Sequence, residues 1–392
     1  MLSEPQSHPQ ADSSLSRTHQ GTALGKNTRP NDAVASKGAA VLDCPVASRC
    51  GGCPEYLRTV GEQRLVKFQG LLDGLERRGV RHTGHCPWLV GRTVGYRNRI
   101  RLALVEGVPG YFNPAKAPDC RVLEPRLIGA LAEFAAWAEQ HPDALRPYRV
   151  AEVRTPDADG NAAVYLRHTE RNGQDLDTPD WRRVPSLSRA ILAFEGGPLR
   201  TQRFWITEEV FARVPIGGFM QVNASANRRM VERVVDWARS LGATSALDLF
   251  AGSGNFALPL AHAGLDVTAV EQDAGACLAL ERAAAEQHLP VRQVSPGDAL
   301  GHARALTSTS AGFDLVVVDP PRGGLRRDVD AIRRLSRKAV VLVSCDAARF
   351  CDDAEALQGA GMTLAESVCV DMFPHTRHME VLGLFRPTAG VA

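Results

Sequence analysis

Apolar and polar positions along this chain follow two regimes that change over near residue 215. Beyond that point, short apolar runs alternate with segments of helical period. Residues 230–241 read as an amphipathic helix, 245–250 as a strand, and 251–264 as a glycine loop that opens a helix. The alternation continues with strand 265–273, helix 274–288, strand 313–321, helix 326–337, strand 338–345 and helix 347–361. Two apolar runs, 362–373 and 380–387, close the chain around a short polar break. Strands alternating with helices predict an α/β fold with a mostly parallel, doubly wound sheet. The last two strands are expected to form an antiparallel edge.

Before residue 215 the pattern is mixed. Residues 60–77 have helical spacing, 96–112 read as two strands around a Gly-Pro turn, and 126–140 read as a helix. Residues 148–168 read as a hairpin turning at 157–161, and 170–185 as a polar loop. Residues 1–40 are rich in Ser, Gln, Pro, Asn and Gly and poor in large apolar residues, and are expected to be a disordered tail. The expected divisions are 1–40, 41–125, a central α+β domain at 126–214, and a catalytic domain at 215–392.

Charge changes this picture little. Net charge is only +2, so no global basic field marks a nucleic-acid binder. The basic residues are nearly all arginine, the lysines being Lys26, Lys37, Lys67, Lys116 and Lys338. Arginine suits bidentate contacts to phosphate, although a GC-rich genome would give the same bias. No run of about 18 apolar residues is long enough to span a membrane, and the N-terminus lacks the basic start and apolar core of a signal peptide. A cytoplasmic protein is expected. Disulfides are rare there, so nine cysteines need another explanation.

The strongest local signal is ALDLFAGSGNFALPLA, residues 246–261. An apolar strand ends in Asp248, Gly252 and Gly254 allow a tight turn, and a helix follows. Glu271 ends the next strand, where an acidic residue can bind a ribose hydroxyl. A dinucleotide site would present a third glycine, and Ala257 stands there instead. Asp248, Asp298 and Asp319 at strand ends would repel a pyrophosphate. The sulfonium of S-adenosylmethionine fits them better.

Cys345 ends strand 338–345, at the sheet edge where open α/β folds bind ligands. Asp319 ends the strand at 313–321, and the polar break carries His375, His378 and Glu380. A thiolate is a soft nucleophile and a good leaving group, suited to reversible addition at carbon 6 of a pyrimidine. Addition activates carbon 5 toward methylation, and a carboxylate such as Glu380 can then remove the carbon-5 proton. A cysteine at a strand end is also a common buried apolar residue, and Cys277, Cys351 and Cys369 are read that way.

Cys44, Cys50 and Cys53, spaced C-x5-C-x2-C, with Cys120 beyond them, form a set suited to an iron–sulfur cluster. Four thiolates also hold zinc, but zinc ribbons pair two C-x2-C knuckles and only one is present. The iron–sulfur reading is therefore favoured, with a structural role. Cys86 stands outside the pattern.

Together, FMQVN (219–223), DLFAGSGNF (248–256), DPPRGGL (319–325), SC (344–345) and FPHTRHMEVLGLF (373–385) resemble the RNA (uracil-5-)-methyltransferase family, over about residues 44–385. The resemblance implies a class I, Rossmann-like methyltransferase fold, with Cys345 as nucleophile and Glu380 as base. It places Gln221, Phe250, Asn255, Glu271, Asp298 and Asp319 around the S-adenosylmethionine and target-base pocket. The cysteine pattern resembles the ribosomal-RNA members, which carry a 4Fe-4S cluster, and implies large-subunit ribosomal RNA as substrate and residues 41–125 as an iron–sulfur and RNA-contact region. A monomer with no obligate protein partner is expected.

Two departures stand out. The ordered chain begins almost at Cys44, leaving no room for the N-terminal β-barrel of many members, so Arg92, Arg97, Arg99 and Arg101 are expected to grip RNA. Asp346 stands where Asn is common, and its charge is expected to raise the Cys345 pKa. Two rivals and one variant remain. A cytosine-5 methyltransferase would place a Cys after the Pro of the DPP motif, which this chain does not. A catalytically idle RNA-binding scaffold would be expected to lose Cys345 or Glu380. A transfer-RNA uracil methyltransferase differs only in its substrate.

Overall fold

The structure is a computed structural model and describes residues 41–82, 85–109, 120–155, 157–168, 191–195, 197–309, 312–325 and 328–388. The tail at 1–40 and the expected loop at 170–185 lie outside these residues.

In chain order the elements are α1 (Ala47–Cys50), α2 (Val60–Arg77), β1 (Trp88–Val90), β2 (Arg99–Val105), β3 (Val108–Pro109), α3 (Pro125–Gln140), α4 (Pro142–Leu145), β4 (Tyr148–Arg154), β5 (Ala163–His168), β6 (Ile191–Phe194), β7 (Thr201–Trp205) and β8 (Phe211–Pro215). They continue with α5 (Ala224–Ser240), β9 (Ser245–Leu249), α6 (Ala257–His262), β10 (Asp266–Glu271), α7 (Ala274–Glu286), β11 (Val291–Pro296), α8 (Ala299–Leu306), β12 (Phe313–Val318), α9 (Val329–Leu335), β13 (Ser336–Ser344), α10 (Ala347–Gly359), β14 (Met362–Asp371) and β15 (Glu380–Pro387).

The large sheet has the order β1-β14-β15-β13-β12-β9-β10-β11, with β15 antiparallel to both neighbours and every other pair parallel. Its central strands are buried on both faces. Val316 and Val318 of β12 face one apolar cluster, and Leu315 and Val317 face another. Such strands read as continuous apolar runs because helices cover both sides.

The last two strands are not an edge. β15 inserts between β13 and β14, and β1 then pairs with β14 through Trp88↔Cys369 to Val90↔Asp371. The reason lies in the N-terminal third, where α2 packs on α10. Thr59 and Glu62 start α2 with a reciprocal capping box. Arg64 and Lys67 then pin it to buried Asp371, at 2.9 and 3.1 Å. Within residues 41–125, β1 joins the large sheet and α2 packs on α10, whereas β2 and β3 belong to the smaller sheet.

The smaller sheet runs β3-β2-β4-β5-β6 and packs its apolar face on Leu127, Leu131 and Phe134 of α3. The turn in 96–112 sits at Glu106 and Gly107, both at positive φ, whereas Pro109 lies inside β3. A two-residue turn of this hand matches strand twist. A Cβ on Gly107 would lie 1.9 Å from the Pro142 carbonyl oxygen, so glycine is required there. The hairpin turning at 157–161 forms as expected, closed by the Asp157 N–H donating to the Asn161 carbonyl at 3.0 Å. A two-stranded ribbon, β7 with β8, precedes α5.

Candidate active site

Strand register brings the two candidate reacting residues together. β13 and β15 pair through Ser344↔Val381, so Cys345 and Glu380 face each other one step further along. Val318 of β12 pairs with Leu342, which carries Asp319 to the same edge. Glu380 is 4% exposed and held by β14 on its other side, through Val370.

Burial dominates the electrostatics. It pushes the Glu380 carboxyl well above its usual range, and the neighbouring Asp319 adds to the shift. Asp319 itself is pushed up to about 7 by burial. Cys345 is raised by burial first and then by the charges of Glu380 and Asp319, against a smaller opposing effect of Arg322. Behind them Asp248 is fully buried, and neither of its oxygens closes a hydrogen bond. The Ala257 N–H at the head of α6 only directs its dipole at this carboxyl, which burial raises well above its usual range. Packed carboxyls without hydrogen-bond partners hold protons unless a cation lies against them.

The glycine loop forms the opposite wall. Phe250 takes a left-handed conformation, φ 65°, which costs a bulky side chain about 1–3 kcal/mol and is typical of functional turns. Gly254 has φ 90°, and a Cβ there would lie 2.8 Å from Leu258. The Gly252 N–H donates to Glu271 at 2.8 Å, so the acidic end of β10 fixes the loop. A cavity of about 120 Å³ is lined by Gln221, Phe250, Gly252, Asn255 and Asp319. Gly254, Glu271 and Asp298 lie outside its lining. Asp298 caps α8 by accepting from the Gly301 N–H at 2.7 Å.

Sequence reasoning missed three contributors. Asn227 of α5 lines the same cavity and exchanges amide hydrogen bonds with Asn255, at 2.7 and 3.0 Å. Trp205, on β7, stands at the cavity wall. Arg154, fully buried, donates to Glu152 and to the carbonyls of Pro215 and Gly218, fixing the loop ahead of Gln221. The helical spacing of Asn227 was a usable signal. Nothing local marks Trp205 or Arg154.

Several expected roles change. Asp346 caps α10 by accepting from the Arg349 N–H at 2.9 Å, and the largest effects on Cys345 come from burial, Glu380 and Asp319. Arg99 and Arg101, one side of β2, are both held by Glu152 on β4, with Arg99 also 5.6 Å from the Phe219 ring centre. Of the polar break, His375 is buried and kept neutral by that burial, between Gln63 and the Thr93 carbonyl. It clamps the loop that delivers Glu380.

The four cluster cysteines converge. Cys53 is pushed up to about 12, by burial first and then by Cys120, Cys50 and Cys44. Cys50 is raised by burial, and then by Cys120 and Cys44. Cys50, Cys53 and Cys120 line one cavity of about 370 Å³ with Arg97, Arg99 and Arg101. Among the described residues, no group of three or more His, Cys, Asp or Glu side chains forms a ready metal-ion shell. An all-thiol donor set facing a cavity nevertheless fits an iron–sulfur cluster in chemistry. Cys86 and Cys369 form a separate buried pair, with sulfurs 3.1 Å apart.

Comparison with known proteins agrees with this arrangement. The family profile described as Conserved hypothetical protein 95 matches residues 227–358. The chain is 30% identical over 377 residues to the 23S rRNA (uracil(1939)-C(5))-methyltransferase RlmD of Pseudomonas putida, covering 87% of this chain and 79% of that one. It is 30% identical over 359 residues to the RlmD protein of Dichelobacter nodosus, covering 88% and 84%. In fold it is similar to the tRNA (uracil-54, C5)-methyltransferase of Pyrococcus abyssi, solved with S-adenosyl-L-homocysteine, with TM-score 0.64, 20% identity and 85% of each chain covered.

Proposed function

This chain belongs to the RNA (uracil-5-)-methyltransferase family, and on that premise we propose that it methylates carbon 5 of a uridine in large-subunit ribosomal RNA. The observation that carries the reading is the pairing of Cys345 with Glu380 across β13 and β15, beside Asp319. Bound S-adenosylmethionine would supply the electrophilic methyl group. Gln221, Phe250, Asn255 and Asp319 would hold it and the target base, with Glu271 keeping the glycine loop in place. The buried carboxyls suit its positive sulfonium, and would lose their protons more readily beside it.

The Cys345 thiolate adds to carbon 6, and the ring electrons that this displaces make carbon 5 nucleophilic. After methylation, the Glu380 carboxylate takes the carbon-5 proton. The carbon–hydrogen electrons restore the double bond, and the carbon–sulfur bond breaks to return the thiolate. Carbon 5 inside a helix is hard to reach, so the uridine is unpaired or flipped out. Ribosomal rather than transfer RNA is favoured by the relatives that match over most of the chain.

Cys44, Cys50, Cys53 and Cys120 would hold a 4Fe-4S cluster that orders the segment between α1 and β2. Purification without air should give a coloured protein containing iron and acid-labile sulfide; a colourless protein containing zinc would contradict this. No helix of the described residues is long and apolar enough to cross a membrane. We take the protein to act in the cytoplasm as a monomer.

The test is methyl transfer from labelled S-adenosylmethionine to unmodified ribosomal and transfer RNA, followed by digestion to nucleosides. Label is expected in 5-methyluridine of 23S rRNA, and in none with Cys345→Ala. Label in 5-methylcytidine, or none in any RNA despite cofactor binding, would overturn the reading.

A further inference from the structure

A second, larger cavity has Cys345 in its own lining. It has a volume of about 650 Å³ and runs from Cys345 and the start of α10 to the flank of α2, with residues 376–379 closing one end. Its lining carries Arg58, Lys67, Arg77, Arg78 and Arg377 against only Glu55 and Asp346.

The cations are unequally engaged. Lys67 is held by buried Asp371, and Arg78 by Asp352. Arg58 and Arg377 share the single carboxylate of Glu55, at 2.8 and 2.9 Å, and Arg377 is 82% exposed. Arg77, exposed in the last turn of α2, has no ion-pair partner among the described residues. Asp346 is occupied in capping α10. The groove therefore carries surplus positive charge on long, mobile side chains.

Helix α2 is also unusual on this side. Gly70 and Gly74 interrupt its interior, where glycine is unfavourable relative to alanine. Gly74 has a packing reason, since a Cβ there would lie 2.8 Å from the Cys351 sulfur. Gly70 has none, because a Cβ there would meet nothing within 4 Å. Both line the groove, and the missing side chain at Gly70 widens it.

We propose that this groove binds the sugar–phosphate backbone of the RNA strand flanking the target uridine, with Arg77 and Arg377 as phosphate contacts on either side of the opening to Cys345. A flexible polyanion fits surplus arginines in a concave groove, and the groove meets the flipped base where its carbon 6 must reach the thiol. The inference rests on the reading of RNA as substrate. None of the five cations was singled out as an RNA contact in the sequence, because Arg377 is far along the chain from the four within residues 58–78.

The test uses the full chain and an unmodified 23S rRNA transcript, with steady-state methyl transfer read at several salt concentrations. Arg77→Glu with Arg377→Glu should raise KM for RNA at least tenfold, change kcat less than threefold and leave the Kd for S-adenosylmethionine within twofold. The slope of log KM against log salt should fall by about 1.4, for two single-strand phosphate contacts at ~0.7 each. The Lys versions of both should restore most of the loss. A charge-matched control, Arg239→Glu with Arg282→Glu, alters residues outside the groove and should leave KM within twofold. An equal rise in KM for the control, or an unchanged KM and salt slope in the groove variant, overturns the groove. A parent protein that transfers no methyl to RNA brings down the underlying reading instead.

Discussion

The two sides of Cys345 carry opposite electrostatics. On one side lie Asp319, Glu380 and Asp248, whose pKa values are raised first by burial, with Asp319 raising the other two further. On the other lie arginines that outnumber their carboxylates. The small cavity by the glycine loop, with Asp319 in its wall, suits a small sulfonium cation, and a basic, open groove suits a polyanion. The net charge of +2 is a sum over the whole chain and reports neither local field. The thiol sits at their boundary, where the two ligands must meet.

Removing the boundary residue should have the largest effect. Cys345→Ala is expected to lower methyl transfer at least ~10³-fold, since no other group can form the covalent adduct. The Kd for S-adenosylmethionine, read by calorimetry, should stay within about twofold. A large loss of cofactor affinity would show that the two sides are not separable at the thiol.

Acidification should act on the cofactor side alone. Asp319 titrates at about 7, so cofactor affinity should rise as pH goes from 6 to 8, up to about tenfold, and Asp319→Asn should flatten the profile. Stability should move the other way. The folded-state pKa of Asp319 is raised above its unfolded value, so the folded protein binds the extra proton between about pH 4 and 7 and loses stability as pH rises through that window. The Tm of Asp319→Asn relative to the parent should therefore increase from pH 5 to pH 8. Thermal unfolding across pH checks the sign.

The smallest change is expected at Asp346. Because its role is to cap α10 and Asn caps as well, Asp346→Asn should alter kcat less than about twofold and Tm by at most a degree or two. A marked fall in the pH at which the rate turns on would show that its charge does reach the thiol.

Much of this was legible in the sequence. The parallel sheet followed from alternating apolar runs, and the glycine loop from Gly252 and Gly254 before a helix. What failed was non-local. Nothing near Met362 or Glu380 says that β15 will insert between β13 and β14, or that β1 will close the sheet from far upstream, pairing Trp88 with Cys369. The Glu152 that Arg99 and Arg101 share with Arg154 comes from the neighbouring strand, which local pattern does not show. Asp346 looked like a charge beside a thiol, whereas the start of α10 turned it into a cap. Phe250 gave no hint of its left-handed backbone, because the loop's glycines stand two and four residues further on, at 252 and 254.

The most direct measurement of the central claim, that Cys345 attacks and Glu380 releases, is a denaturing gel of Glu380→Gln incubated with S-adenosylmethionine and unmodified 23S rRNA. The account predicts a protein–RNA adduct that survives denaturant, needs Cys345, and yields a methylated pyrimidine bound to the cysteine on digestion, with turnover down by about 10²–10⁴-fold. Normal turnover without an adduct would contradict it, because another base would then be removing the carbon-5 proton.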